Sequence, residues 1–379
     1  MNIKEIPVLL LTGYLGSGKT TLLNRILANE KGIKFAVIVN DIGEVNIDAN
    51  LIEQGGMVGK KDDSLVALQN GCICCTLKMD LVQQLSEIAA MNRFDYIVIE
   101  ASGICEPAPI AQTISAYPQM YPEYAKDGIC KVDCITTVVD ALRMRDEFAS
   151  GNNLTDKNIG EDDLESLVIQ QVEFCNIILL NKASEVSKED LANVTAILHS
   201  LQPHASIIPC DYGDVDLDKL LNTGLFDFNK VATSAKWIEA VEGDGEDLEN
   251  EESGEALEYG IDTFVYQQCR PFDINMFDEF VARKFPKTVV RCKGLCYFSD
   301  ERDTCYLFEQ AGKQIGLKNV GQWYATMPEK ELEELKANNP GLRRDWDDTY
   351  GDRMQKLVFI GQNMDKESIT EELNKCLTD

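Results

Sequence analysis

With 379 residues, 44% of them hydrophobic, the chain has enough material for two domains with their own cores. Its formal charge of −28 argues against nucleic acid or an anionic membrane as the main partner, because both attract Lys and Arg. Two histidines exclude a His-rich metal store, and thirteen cysteines without an export signal are expected as reduced thiols in a cytoplasmic protein. No apolar run approaches the roughly 18 residues needed to span a bilayer, and the first six residues do not read as a signal peptide.

Ile6 to Leu11 is apolar and reads as a buried parallel strand. It leads into Gly13-Tyr-Leu-Gly-Ser-Gly-Lys-Thr20, the G-x-x-x-x-G-K-[ST] pattern of a phosphate-binding loop. Residues 21–27 then read as the start of a helix, so strand, loop and helix supply the context the pattern needs. The glycines let successive backbone N–H groups curl toward one point, and the helix adds its positive end. Gly13, Gly16, Ser17, Gly18, Lys19, Thr20 and Thr21 are the expected nucleotide-binding positions. Lys19 is expected to contact the outer phosphates, and the Thr20 hydroxyl to bind Mg²⁺.

A second buried strand, Phe35 to Asn40, runs into a loop carrying Asp41, Glu44 and Asp48. Acids just past a strand of a nucleotide-binding sheet lie where a γ-phosphate and Mg²⁺ would sit. Asp41 is read as a catalytic carboxylate that positions water or a water on Mg²⁺, and Glu44 and Asp48 as residues that move with nucleotide state. The plain alternative is an acidic surface loop.

Cys72-Ile-Cys-Cys75 comes next, followed by Leu77, Leu81, Leu85 and Ile88 at helical spacing. Thiols at the mouth of a helix are pushed toward thiolate. Three thiolates form a soft set suited to Zn²⁺ or Cu(I), with Co²⁺ also accommodated. They leave one tetrahedral position open, which suits transfer better than storage. The alternatives are a thiol redox switch or buried packing.

Phe94 to Glu100 is another strand, with Gly103 three residues on. Glu100 is expected to hold Mg²⁺ through water, and the Gly103 N–H to sense the γ-phosphate. Glu106-Pro-Ala-Pro109 is expected to stiffen a turn. Asp133 to Asp140 is a strand, 150–165 a polar loop and 167–174 a helix. The strand Ile177 to Leu180 ends in Asn181-Lys182, the first half of the N-K-x-D base-reading pattern, where both residues are expected to bind nucleotide. Ser184 stands where that pattern has Asp, and losing a charged hydrogen-bonded pairing costs about 1.5–3 kcal/mol. Glu185 is the nearest acid in sequence, so the choice of base stays open here. Residues 205–210 form the last strand of this sheet.

Residues 239–258 are acidic and glycine-rich and read as a solvated linker, with weak cation attraction as the sharper alternative. Beyond Gly260, strands are expected at 262–267, 288–298, 304–309 and 356–361, with helices at 272–285 and 365–377. Cys175, Cys292 and Cys296 sit in apolar or strand contexts as inert thiols. His199 and His204 are isolated and are not expected to bind metal.

Gly71-Cys-Ile-Cys-Cys-Thr76, set between a phosphate-binding loop and an Ile-Val-Ile-Glu-x-x-Gly strand, resembles the CobW family of metal-insertion GTPases. Glu106-Pro-Ala-Pro, Cys269-Arg-Pro-Phe, Arg291-x-Lys-Gly-Leu and Gly351-Asp-Arg extend the resemblance over nearly the whole chain. It implies an α/β fold, a P-loop GTPase domain on a mostly parallel sheet followed by a small α+β domain. The expected divisions are 1–235, an acidic linker at 236–259, and 260–379. It further implies GTP and Mg²⁺ as cofactors, Lys19, Thr20 and Glu100 at the Mg-nucleotide, and Cys72, Cys74 and Cys75 as ligands to Zn²⁺ or Co²⁺ delivered to a client metalloprotein. Asp41 stands where the family usually carries Glu. The alternative function is an NTP-dependent regulatory switch with a thiol redox or structural cysteine cluster.

Overall fold

The computed structural model describes residues 4–28, 32–39, 67–68, 78–148, 162–233, 260–312, 314–338, 342–343 and 346–378. These belong to two units, one of Met1–Ser150 and Leu167–Ala235, the other of Gly151–Ser166 and Lys236–Asp379, so that residues 162–166, the start of a helix described with the first unit, are grouped with the second. Most of the polar loop at 150–165 and all of the acidic stretch at 236–259 lie outside the described residues.

In the first unit, strands and helices alternate: β1 (Glu5–Thr12), α1 (Lys19–Leu27), β2 (Phe35–Val39), β3 (Ala67–Leu68), α2 (Lys78–Met91), β4 (Tyr96–Glu100), α3 (Pro107–Met120) and β5 (Ile129–Asp140). The run continues with α4 (Ala141–Phe148), α5 (Asp162–Glu173), β6 (Ile177–Asn181), α6 (Lys188–Leu201), β7 (Ser206–Pro209) and α7 (Phe228–Thr233). The seven strands form one sheet in the order β3-β2-β4-β1-β5-β6-β7, and every pairing is parallel. Parallel strands carry helices on both faces, which is why β2, β4 and β6 read as unbroken apolar runs and are buried along their whole length. Leu22, Leu23 and Ile26 of α1 pack into a core with Leu9, Leu11, Val37 and Val98, fixing the helix beneath the sheet edge from which it starts.

Register decides what meets at that edge. Leu11 of β1 lies beside Glu100 on one flank and Thr136 on the other. The Ala101 N–H donates to the Leu11 carbonyl at 2.9 Å, carrying the contact one residue past the end of β4. Thr12 and Thr137 share a buried hydroxyl hydrogen bond of 2.8 Å, and the Thr137 hydroxyl also meets the Gln171 carbonyl of α5 at 2.9 Å. The segment after β1 therefore leaves the sheet from a fixed direction.

The second unit holds β8 (Ile261–Gln268), α8 (Ile274–Glu279), β9 (Val289–Cys296), β10 (Thr304–Ala311), β11 (Gln314–Gln322), α9 (Glu329–Asn338), β12 (Gln355–Gln362) and α10 (Lys366–Lys375). Its five strands run antiparallel in the order β11-β10-β9-β12-β8. Phe277 of α8 and Ile369 and Leu373 of α10 pack with Phe298, Phe308 and Phe359 in one apolar cluster, giving an α+β layer pair. The helix expected over 272–285 begins later, at Ile274, where the Asp273 carboxylate accepts from the N–H groups of Asn275 and Met276. It ends in a π turn, Phe280–Lys284. No helix among the described residues is long and apolar enough to cross a membrane.

Candidate functional site

Between β1 and α1 the backbone turns at three glycines with positive φ, Gly13 at 135°, Gly16 at 82° and Gly18 at 109°. Two are also sterically required. A Cβ on Gly13 would lie 2.4 Å from the Val138 carbonyl oxygen, and one on Gly18 would lie 2.3 Å from the Asn181 amide nitrogen. Gly18 caps α1 without a side chain, and no acid of the helix itself occupies its first turn, which leaves the helix's positive end without a capping carboxylate of its own. Lys19 is 8% exposed, and its ammonium donates to the Tyr14 carbonyl at 3.2 Å. The Tyr14 ring is buried under the Arg143 guanidinium, and its hydroxyl bonds the backbone of Asp140.

Beside this loop, the Thr20 hydroxyl donates to Oε1 of Glu100 at 3.0 Å, and Glu100 is only 2% exposed. A hydroxyl and a carboxylate side by side are hard oxygen donors, a set that fits Mg²⁺ and not a soft ion. Gly103 presses on the same loop, since a Cβ there would come within 2.8 Å of the Leu15 nitrogen. The Gln171 amide donates to the carbonyls of Gly103 and Cys105 at 3.4 and 3.1 Å and holds this crossing in place. Directly after it, Pro107 opens α3, so the stretch 106–109 is the entry to a helix and not the stiff turn expected from its prolines.

On the other side of the phosphate loop, Asn181 at the end of β6 donates to the Ser17 carbonyl at 2.8 Å and accepts from the Gly213 N–H at 3.1 Å. Lys182 adopts a left-handed φ of 58° and its ammonium pairs with the Asp140 carboxylate. Asp140 also accepts from the first N–H groups of α4 through its other oxygen. Ser184 is not isolated: its N–H and its hydroxyl donate to Oδ1 of Asp211 at 3.0 and 2.9 Å.

Lys19, Thr20, Glu100, Gly103, Asn181 and Lys182 are thus gathered with Gly13, Gly16, Ser17 and Gly18 at one sheet edge. Thr21 is exposed in the first turn of α1. Asp41, Glu44 and Asp48, and Cys72, Cys74 and Cys75, lie outside the described residues. Tyr14, Asp140, Gln171 and Asp211 were not singled out from the sequence. For Asp140 the signal was available, an acid closing a strand at the edge that carries the site.

The described cysteines behave as packing residues. Burial holds Cys130 and Cys134 up at about 12 and Cys210 and Cys376 at about 11, and pushes Cys175, Cys292 and Cys296 upward as well, so these thiols stay neutral near pH 7. Cys105 is buried. Among the described residues no group of three or more His, Cys, Asp or Glu could hold a metal ion.

A family model described as the CobW/HypB/UreG nucleotide-binding domain matches residues 7–209, and one for the cobalamin synthesis protein cobW C-terminal domain matches residues 261–377. Zinc-regulated GTPase metalloprotein activator 1 of Dictyostelium discoideum is 37% identical over 389 residues, covering 99% of this chain and 80% of that protein. Zinc chaperone YjiA of Escherichia coli is 34% identical over 385 residues, 97% of each chain. Zinc chaperone CobW of Pseudomonas aeruginosa is 32% identical over 232 residues, 58% of this chain and 60% of that one.

Proposed function

The chain belongs to the CobW family of P-loop GTPases, and from that premise we propose that it is a cytoplasmic metallochaperone that couples GTP hydrolysis to delivery of zinc, with cobalt as the second candidate, to a client metalloprotein. With a formal charge of −28, nucleic acid and anionic membranes are not the expected partners. The observation that carries the nucleotide half is the Thr20–Glu100 hydrogen bond of 3.0 Å beside the buried Lys19. It gathers a hydroxyl, a carboxylate and an ammonium at the start of a helix that carries no acid in its own first turn. Phosphates would be held by the N–H groups of residues 13–20 and by Lys19. Thr20 and Glu100 would hold Mg²⁺, which when bound neutralises charge on the β- and γ-phosphates. Asp41 is the proposed carboxylate that orients the attacking water.

The metal half is supported by sequence and by chain continuity. Cys72, Cys74 and Cys75 fall in the connection from β3 to α2. β3 is parallel to β2, which is parallel to β4, so it points toward the edge where Glu100 ends. The relatives' names point to zinc, and a set of thiolates favours such an ion over Mg²⁺. Gly103 offers a route for coupling. It lies against the phosphate loop and opens directly into α3, so a shift at one is felt at the other.

The test is GTP turnover with and without one equivalent of Zn²⁺. The proposal expects turnover to change when the ion is loaded. Equal rates, together with no measurable zinc affinity, would sink the delivery reading and leave a GTPase of another purpose.

A further inference from the structure

We propose that Asp211 reads the base of GTP, taking over from the carboxylate that is missing at position 184; this rests on the GTPase reading of the site. Guanine presents two adjacent donors, N1–H and the 2-amino group, on the edge that a base-reading carboxylate meets. Adenine presents an acceptor nitrogen there. A site that prefers guanine therefore needs paired acceptors, and a serine hydroxyl supplies only one weakly accepting oxygen.

The structure puts an acid beside that serine. Both donors of Ser184, its N–H at 3.0 Å and its hydroxyl at 2.9 Å, turn toward Oδ1 of Asp211. Ser184 orients a carboxylate instead of providing one. The loop that carries Asp211 is pinned on both sides. The Cys210 N–H donates to the Leu180 carbonyl at 2.9 Å, and the Ala183 N–H to the Cys210 carbonyl at 3.1 Å. The Gly213 N–H donates to Oδ1 of Asn181, whose amide in turn holds the Ser17 carbonyl. Between them Tyr212 takes a left-handed φ of 52° that reverses the chain. Arg25 of α1 clamps the far side, with Nε on the Tyr212 carbonyl at 2.7 Å and a guanidinium nitrogen on Asp214 at 2.9 Å. Asp211 is therefore fixed relative to the phosphate loop through Asn181 and relative to α1 through Arg25, which is the preorganisation that a specificity contact requires.

Glu185 is the rival acid. It ends the short turn Ala183–Glu185, is exposed, and no described hydrogen bond ties its carboxylate to the loop at 210–213. Lys182 is committed to Asp140, so its ammonium does not compete for Asp211.

Xanthine provides the test, because it keeps N1–H but carries a carbonyl oxygen where guanine has its amino group. An asparagine presents one acceptor and one donor and so matches xanthine in place of guanine. Binding of GDP, XDP and ADP to the full chain is measured for the wild type, Asp211→Asn and Glu185→Gln, with thermal unfolding as a check on folding. Asp211→Asn is expected to weaken GDP by about 10- to 100-fold, the size of a lost charged hydrogen-bond pairing, to strengthen XDP, and to invert the GDP-over-XDP preference. The double variant Ser184→Asp/Asp211→Ser is expected to restore it. An unchanged preference in Asp211→Asn overturns the role of Asp211, as does an inversion that appears in Glu185→Gln instead. A wild type that binds GDP and ADP alike overturns it too, while one that binds no guanine nucleotide overturns the nucleotide reading beneath it.

Discussion

Replacing Lys19 with alanine is expected to lower the single-turnover rate of GTP hydrolysis by about 10²- to 10³-fold, the usual cost of removing one preorganised group that stabilises charge in a transition state. The side chain is 8% exposed and its ammonium rests on the Tyr14 carbonyl at 3.2 Å, inside the loop that would wrap the phosphates. In phosphoryl transfer the protein contributes mainly position and charge, and this ammonium lies at the start of α1, close to where the γ-phosphate would gather charge. Lys19→Arg is not expected to rescue the rate, since a planar fork cannot follow the path of a compact ammonium through a loop packed against Val138 and Asn181. The variant is expected to unfold near the wild-type temperature, because the core beneath α1 is built from Leu22, Leu23 and Ile26. A rate within twofold of the wild type would contradict the assignment.

Replacing Cys72, Cys74 and Cys75 together with serine is expected to weaken zinc binding by more than about 100-fold, since losing even one outer partner of a metal ligand costs about 10- to 100-fold. Nucleotide affinity is expected to stay within about threefold, because Lys19 is held by the Tyr14 carbonyl, Thr20 by Glu100 and Asn181 by the Ser17 carbonyl. No competing site exists among the described residues: no cluster there can hold a metal, and the buried thiols stay protonated. Equilibrium competition against a chromogenic chelator reads the effect. Undiminished zinc affinity in the triple variant would move the site elsewhere. A wild type with no zinc affinity that reversibly loses thiols on oxidation would favour the redox switch.

Much of the nucleotide site could be read from the chain because its parts are local. A strand, three glycines, Lys19 and Thr20 occupy one short stretch, and Glu100 and Asn181 each close an apolar strand. The second unit was harder. β11 is not legible in sequence because Gln314–Gln322 is exposed along nearly its whole length and its apolar alternation stops after Ile315 and Leu317; it is held to β10 by backbone pairing and by the Lys318–Glu309 ion pair. α9 is polar over most of its surface, with Glu and Lys filling most of Glu329–Asn338, so its apolar stripe is only the pair Leu332 and Leu335, too short to stand out in sequence. The entry to α3 at 106–109 reads in sequence as a stiff turn because of Pro107 and Pro109, although the first helical turn is where proline fits. α5 begins at Asp162, inside the stretch expected as loop, because its first turn is acidic and polar. Asp211 left no local trace at all, because its partner Ser184 is 27 residues away and only the parallel pairing of β6 with β7 brings their following loops together.

Nucleotide-driven delivery of zinc requires a mechanical link between the phosphate loop and the cysteine cluster. The most direct measurement is the zinc dissociation constant of the full chain in three states: without nucleotide, with a non-hydrolysable GTP analogue and Mg²⁺, and with GDP. Linkage requires zinc affinity to differ between the analogue and GDP states, by about 5- to 150-fold for a coupling of ordinary size, and requires zinc to shift nucleotide affinity by the same factor. One zinc affinity shared by all three states would contradict it.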